Sequence, residues 1–152
     1  MPAIRGRSLY ATLLSFTVLI SAAGPGAAVE FRNALDDSPL DLKPAAGETI
    51  TDPVKSFYQT GENPYVGKAE SVAKGKELFE ANCQTCHEAD GSGGMCPALI
   101  GDVHVNTRAG TDVGKFEIIH SGAAGAMKAF SKRGITQDQI LQLIAYIHAL
   151  KK

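Results

Sequence analysis

The pentapeptide Cys83-Gln84-Thr85-Cys86-His87 decides how the rest of this 152-residue chain is interpreted. The spacing C-x-x-C-H is the attachment signal for c-type haem. Two thiols three residues apart at a helix end can each add to a vinyl group of one porphyrin, and the adjacent histidine then supplies the proximal nitrogen to the iron. The motif therefore predicts one covalent haem c, with Cys83 and Cys86 as tethers and His87 as an iron ligand. A chance match or a thioredoxin-like dithiol is the alternative, and neither of them requires the histidine.

The first 28 residues have the composition of a secretory signal peptide. Arg5 and Arg7 precede the uncharged, largely apolar stretch 9–23, and small residues follow at 24–28. The apolar stretch is shorter than the roughly 20 residues of a membrane-spanning helix, although an uncleaved segment would leave a membrane anchor. We therefore expect cleavage after Ala28, a periplasmic location, and no membrane contact of the mature chain.

Removing residues 1–28 leaves a mildly acidic chain of a size typical of one domain. Arg5 and Arg7 are lost with the signal peptide, so 13 of the 15 basic side chains remain against 16 acidic ones. A protein with this charge balance is a poor ligand for nucleic acid. It can, however, dock electrostatically on a basic patch of a protein partner.

The mature chain divides into an N-terminal extension, 29–68, and a haem domain, 69–152. The extension contains four prolines and one predicted short helix, 51–60, which Gly61 ends. One face of this helix is apolar and is expected to pack on the haem domain, although a loosely attached extension is the alternative. The residues of that face are Val54, Phe57 and Tyr58.

Three further helices are predicted in the haem domain, at 69–82, 111–120 and 136–150. Gly75 lies within the apolar stripe of the first, where an interior glycine costs about 1 kcal/mol relative to alanine. A close crossing with the C-terminal helix is the natural reason for that glycine. The C-terminal helix opens with the capping-box pattern Thr136-Gln137-Asp138-Gln139. These elements predict an all-α fold around one haem.

Two residues after the motif are expected to lie close to the haem. A metal-bound histidine usually donates its second ring N–H to a backbone carbonyl. Pro97 follows His87 by ten residues and is placed to supply that carbonyl. Leu99 would then cover the haem ring.

Met127 is predicted as the second axial ligand. It lies in the glycine-rich stretch 121–130, which can lie flat against a porphyrin face and present one side chain. A thioether suits low-spin iron and raises its reduction potential. Met95 is the competing ligand, but it follows His87 too closely to reach the opposite face easily. An iron with no methionine ligand is the remaining possibility.

The other polar groups are assigned structural roles. We expect His104 at the surface, His148 in solvent, and His120 as a partly positive group at the C-terminal end of its helix. Iron ligation is the alternative for His104 and His120. Cys96, the third cysteine, is expected to be a small buried hydrophobe, with a disulfide-linked dimer as the alternative.

The order of these elements resembles the class I cytochromes c over about residues 69–150. A closer resemblance, to the cytochrome c-L family, runs over nearly the whole mature chain. Cys96 departs from that family, which usually has glycine there, and the chain has no tryptophan. The stretches that carry the closer resemblance are Phe31, Ser38-Pro39-Leu40, Asp52-Pro53-Val54-Lys55-Ser56-Phe57, Thr60-Gly61-Glu62-Asn63-Pro64-Tyr65, Thr111-Asp112-Val113-Gly114 and Gly122-Ala123-Ala124-Gly125-Ala126-Met127.

The resemblance implies a class I cytochrome c fold and a one-electron carrier rather than an enzyme. It implies a pyrroloquinoline-quinone (PQQ)-dependent methanol or other alcohol dehydrogenase as electron donor, and another c-type cytochrome as acceptor. Two alternatives remain. One is a haem protein with an open axial position that acts on peroxide or binds a gas. The other is a carrier for a different quinoprotein, such as a lanthanide-dependent dehydrogenase.

Overall fold

The computed structural model describes residues 28–150, and within that range the chain is helical without strands. An isolated antiparallel bridge joins Arg32 and Pro39. The predicted all-α fold is confirmed, whereas the predicted signal peptide, 1–28, lies almost entirely outside the described residues. The α-helices are α1 (Asp52–Thr60), α2 (Ala69–Asn82), α3 (Gln84–His87), α4 (Asp112–Ser121) and α5 (Gln137–Leu150), with 3-10 turns at Thr107–Gly110 and Ser131–Arg133.

Helix α1 has the ends that its sequence predicts. The Thr51 side chain accepts a hydrogen bond from the Val54 N–H at 3.4 Å and forms the N-cap. At the other end Gly61 adopts φ 71° and donates its N–H to the Phe57 carbonyl at 2.8 Å. A left-handed φ is readily available only to glycine, so this residue ends the helix at low cost.

The N-terminal segment shares its core with α4. Phe31, Phe57 and Phe116 form a cluster with ring centroids 5.3–5.6 Å apart. Aromatic contacts of this kind add about 0.5–1.5 kcal/mol per pair beyond their buried area. The Asn63 amide also donates to the Leu141 carbonyl on α5 at 2.7 Å. In the described residues, therefore, 29–68 is fastened to the helices by both apolar and polar contacts.

Helices α2 and α5 cross at Gly75, as the sequence predicts. A Cβ atom on Gly75 would lie 2.1 Å from the Gln142 carbonyl oxygen and 2.9 Å from the Cβ of Tyr146. The buried residues of α2 are Ser71, Gly75 and Phe79, so a small polar residue begins its buried stripe. The glycine therefore lets the two backbones approach more closely than any side chain would permit.

Helix α5 begins with the predicted capping box. The Thr136 N–H donates to Gln139 Oε1 at 2.9 Å, and the Gln139 N–H donates to Thr136 Oγ1 at 3.2 Å. Its apolar stripe is buried against α2 and α4. Neither α5 nor any other helix between residues 28 and 150 combines the length and the apolar character needed to cross a membrane.

A buried carboxylate ties α4 to the loop before it and to the N-terminal segment. Glu117 is 3 % exposed. It accepts the backbone N–H of Arg32 at 2.6 Å on one oxygen and the Arg108 guanidinium at 2.8 Å on the other. Arg108 also pairs with Asp37. Because a buried charge is costly unless it is paired, this network fixes the position of the loop.

Replacing Glu117 by glutamine should lower the free energy of unfolding by about 2–3 kcal/mol, because a buried ion pair loses one partner while Arg108 keeps some contact with solvent. Glu80→Gln is the matched control. Glu80 is half-exposed and lies 3.7 Å from Lys76, so its loss should stay below about 0.5 kcal/mol. Urea unfolding of the haem-loaded proteins measures both, and equal losses would contradict the role of Glu117.

Candidate haem site

His87 closes the short helix α3, and its ring is buried. Its Nδ1 lies 2.8 Å from the Pro97 carbonyl oxygen, the contact that the sequence predicts. Because a carbonyl can only accept, Nδ1 carries the proton and Nε2 keeps its lone pair. Metal-bound histidines have this arrangement, in which the second nitrogen fixes the tautomer and orientation of the ring. His87 is therefore oriented to bind a metal through Nε2.

His87 and Met127 line the same cavity, which has a volume of about 670 Å³. This size is typical of a cofactor site, as is a wall that is mostly apolar. Met127 is half-buried against the core, whereas Met95 is 78 % exposed at the rim. The predicted site residues on the wall are Cys83, His87, Pro97, Leu99 and Met127, and the apolar side chains of α4 and α5 behind them are Ile118, Ile119, Leu143 and Ile147.

The loop that carries Met127 is anchored to the end of α4. The Ala123 N–H donates to the Met127 carbonyl at 3.0 Å, and the Phe130 N–H donates to the Ile119 carbonyl at 3.0 Å. Gly122 has φ 84°, and a Cβ there would lie 2.8 Å from the Ala129 nitrogen. The turn thus depends on this glycine, and it holds the thioether against the cavity.

The two thiols of the motif have different surroundings. Cys83 lines the cavity and packs against the core, and burial raises its pKa to about 11. The thiolate is the reactive form of cysteine, so the folded site favours the protonated thiol as a packed, apolar group. Cys86 is half-buried on α3, and its carbonyl accepts the Cys96 N–H at 3.1 Å.

Three predictions about histidines change with the structure. His104 is half-buried and lines the cavity rather than the outer surface. His120 stacks on Phe116, and burial lowers its pKa, so the predicted partial positive charge is wrong. Its Nδ1 has no hydrogen-bond partner among the described residues. His148 is partly solvated, with 34 % of its side chain exposed, but the start of α4 also brings Asp112 Oδ1 within 2.6 Å of its Nε2, a partner that was not predicted.

Cys96 is not the buried hydrophobe that the sequence suggests. It is only half-buried at the rim of the cavity. The reason is the loop before it, where the Gly93 N–H bonds to the His87 carbonyl and the Gly94 N–H to the Cys96 carbonyl, which turns 95–97 toward the surface. The alternative of a disulfide-linked dimer stays a prediction.

Sequence reasoning missed several polar residues of the cavity wall, and Lys115 is the most deeply buried of them. Lys115 lines the cavity with its side chain only 7 % exposed, and its Nζ lies 3.5 Å from Asp112 Oδ1. Lysine is rarely buried, so its residue type alone argues against this position. The helical period of α4 places Lys115 on the same face as Ile118 and Ile119, and that spacing is the signal that could have found it.

The side chains around this cavity fit a covalently held haem. An oriented imidazole and a soft thioether share one apolar cavity. Cys83, the first thiol of the C-x-x-C-H motif, lines it, and Cys86 lies three residues further along on α3. Imidazole and thioether are the axial ligands of electron-carrying cytochromes. On an all-α fold, this combination defines the class of the protein as a c-type cytochrome.

Comparison with known proteins narrows the class to a family of c-type cytochromes. The family model described as cytochrome c oxidase, cbb3-type, subunit III matches residues 70–147. Cytochrome c-L of Methylorubrum extorquens is 35% identical over 129 residues, which are 84% of this chain and 65% of that protein. The cbb3-type oxidase subunit CcoP of an Azospirillum species is 31% identical over 68% of this chain and 35% of its own length.

Two solved structures have the same fold. Cytochrome cL of the marine methylotroph Methylophaga aminisulfidivorans has a TM-score of 0.77 and 32% identity, over 81% of each chain. Cytochrome cL of Hyphomicrobium denitrificans has a TM-score of 0.73 and 34% identity, over 83% of this chain and 76% of its own. The chain belongs to the cytochrome c-L family. Its members are electron-transfer proteins rather than enzymes, and they carry covalent haem c.

Proposed function

We propose that this chain is a periplasmic one-electron carrier whose haem is tethered by Cys83 and Cys86 and ligated by His87 and Met127. The observation that carries the proposal is that the buried imidazole and the half-buried thioether line one cavity. Bound haem supplies a one-electron Fe(III)/Fe(II) couple. With His87 and Met127 both holding the iron, the site would offer no vacant position for a substrate.

The other site residues support this role. The Pro97 carbonyl holds the His87 ring in one orientation through the 2.8 Å bond to Nδ1, and such a bond also raises the basicity of the ligating nitrogen. Leu99 packs against the core and lines the cavity, so it would shield the face of the bound haem from water. The burial and fixed orientation of His87 limit the rearrangement that accompanies a change of charge, which suits electron transfer.

We further propose that the electrons come from a PQQ-dependent methanol or other alcohol dehydrogenase and pass to another c-type cytochrome. The support for this is the family resemblance, since the relatives include cytochromes cL and one of them is from a methylotroph. The periplasmic location is supported by the signal-like composition of residues 1–28. Because the chain spans 65% of the M. extorquens protein, its donor and acceptor are assigned here as proposals.

Stopped-flow reduction of the haem-loaded protein by purified quinoprotein dehydrogenases tests the donor. A calcium-dependent and a lanthanide-dependent methanol dehydrogenase are compared, with ascorbate as a reductant that needs no docking. We expect one dehydrogenase to reduce the cytochrome at least about tenfold faster than the other, with a rate that falls as ionic strength rises, because charged surfaces steer encounter. Equal rates with both enzymes that are also independent of salt would contradict a dedicated donor.

A further inference from the structure

Lys115 places a cation in the wall of the haem cavity. Of the cavity-lining side chains between residues 28 and 150, it is the only lysine, arginine, aspartate or glutamate. Its side chain is 7 % exposed, and Ile118 and Ile119 follow it on the cavity face of α4. A buried ammonium is costly unless an opposite charge is close to it. Its position in a mostly apolar cavity therefore calls for a negative group.

Asp112 supplies part of that negative charge, but one of its oxygens is shared. Asp112 Oδ1 lies 2.6 Å from Nε2 of His148 and 3.5 Å from Nζ of Lys115. The first contact is within hydrogen-bonding distance, whereas the second exceeds the usual range. An ammonium has three N–H donors, so Lys115 can bind a second carboxylate while it stays close to Asp112.

The polar part of the cavity wall is gathered around the start of α4. The 3-10 turn before this helix is pressed against it, since a Cβ on Gly114 would lie 1.9 Å from the Arg108 carbonyl oxygen. Gly114 adjoins Lys115 in the chain, so the turn and the ammonium meet there. The other polar wall residues of this corner are His104, Asn106 and Thr107. The wall that α5 supplies is apolar, with Leu143 and Ile147.

Haem is divided in the same way, because its apolar ring carries two propionate carboxylates. We propose that the Lys115 ammonium binds one of these propionates inside the cavity and so fixes the ring at the polar corner. The inference rests on the proposed placement of haem between His87 and Met127. Lys115 is then a positioning residue, because it contacts a carboxylate at the edge of the ring and not the iron.

Such a pair also sets the charge near the iron. The ammonium and the carboxylate together carry no net charge. Without the ammonium, an ionised propionate would favour Fe(III) and lower the reduction potential. Burial would at the same time favour the protonated acid and raise the pKa of the propionate. Removing Lys115 should therefore lower the potential only at a pH where the propionate is ionised.

Proton NMR of the reduced, haem-loaded wild type tests the contact directly. Low-spin Fe(II) is diamagnetic, so the haem signals are sharp. We expect nuclear Overhauser cross-peaks between the ε-methylene protons of Lys115 and the methylene protons of one propionate. Cross-peaks from Ile118 or Ile119 to the ring without any from Lys115 to a propionate would overturn the proposal. A high-spin, paramagnetic Fe(II) spectrum would instead contradict the proposed Met127 ligand, so the two failures are distinguishable.

The pH dependence of the reduction potential provides a second measurement. Lys115→Met keeps the length of the side chain without its charge, and Lys115→Arg keeps the charge. We expect Lys115→Met to match the wild type at about pH 5, where the propionate is protonated. At about pH 8 its equilibrium constant for reduction should be about tenfold lower, which is about 59 mV for one electron. Lys115→Arg should follow the wild type throughout.

Two controls separate the propionate from other charges. Lys128→Met removes an exposed cation that lines a separate cavity, and its potential should stay parallel to that of the wild type. The other titratable and charged groups at the corner are Asp112, His104, His148, Arg108 and Glu117. Repeating the comparison in Asp112→Asn excludes the aspartate as the group that titrates. Parallel profiles of Lys115→Met and the wild type from about pH 5 to about pH 8 would overturn the proposal.

Discussion

Met127→Ala should remove the weak sulfur-to-iron absorption band at the red edge of the oxidised spectrum and lower the reduction potential by on the order of 0.2 V, within the about 0.8 V range that axial ligands span. A neutral thioether favours the reduced iron, and alanine cannot ligate. The structure supports this expectation because Met127 lines the cavity with His87 and its loop is anchored to α4. Optical spectra and redox titration of the haem-loaded variant measure both effects.

Met95→Ala is the matched control for this prediction. Met95 also borders the cavity, but its side chain is 78 % exposed. The band and the potential should be unchanged when it is replaced. A band that persists in Met127→Ala and disappears in Met95→Ala would reverse the assignment. High-spin bands already present in the wild type would favour the alternative of an open axial position, and with it a protein that acts on peroxide or binds a gas.

Gly75→Ala should lower the free energy of unfolding by about 3 kcal/mol, the upper end of the cost of overpacking a core. The added methyl group would meet the Gln142 carbonyl oxygen at 2.1 Å, and a backbone atom cannot rotate away as a side chain can. Helices α2 and α5 must therefore separate along their whole contact. Urea unfolding of the haem-loaded protein, followed by far-ultraviolet circular dichroism, measures the loss.

The sign of this effect separates packing from helix propensity. Without the crossing, alanine in place of Gly75 would stabilise α2 by about 1 kcal/mol, because glycine is a poor helix former. Ala73→Gly, on the exposed side of the same helix, isolates the propensity term and should cost about 1 kcal/mol. A variant Gly75→Ala that is as stable as the wild type, or more stable, would show that the two helices can move apart freely.

Local chemistry made much of the fold predictable. The ends of α1 and α5 follow from Thr51 and Thr136, whose side chains bond to backbone N–H groups within three residues. The bond between His87 and Pro97 was likewise predictable, because a metal-binding histidine needs an acceptor and the loop leaves few choices. Patterns of this kind need no knowledge of distant parts of the chain.

The errors concern residues whose surroundings come from another element. His148 lies on the polar side of α5, but the start of α4 places Asp112 against it. His120 ends a helix, but it is buried and stacks on Phe116, and this burial lowers its pKa. The sequence predicts that Cys96 is a small buried hydrophobe, but the turns at Gly93 and Gly94 place it at the rim of the cavity.

The sequence by itself determined the class of cofactor, the helices, and the candidate ligands, because motif spacing, capping and periodicity are properties of short stretches. Only the tertiary structure decided that Met127 rather than Met95 lies against the core beside the His87 cavity, and that Cys86 and Cys96 are neighbours. The physical reason is that burial and contact across tens of residues depend on how separate elements pack, and packing depends on the whole chain at once.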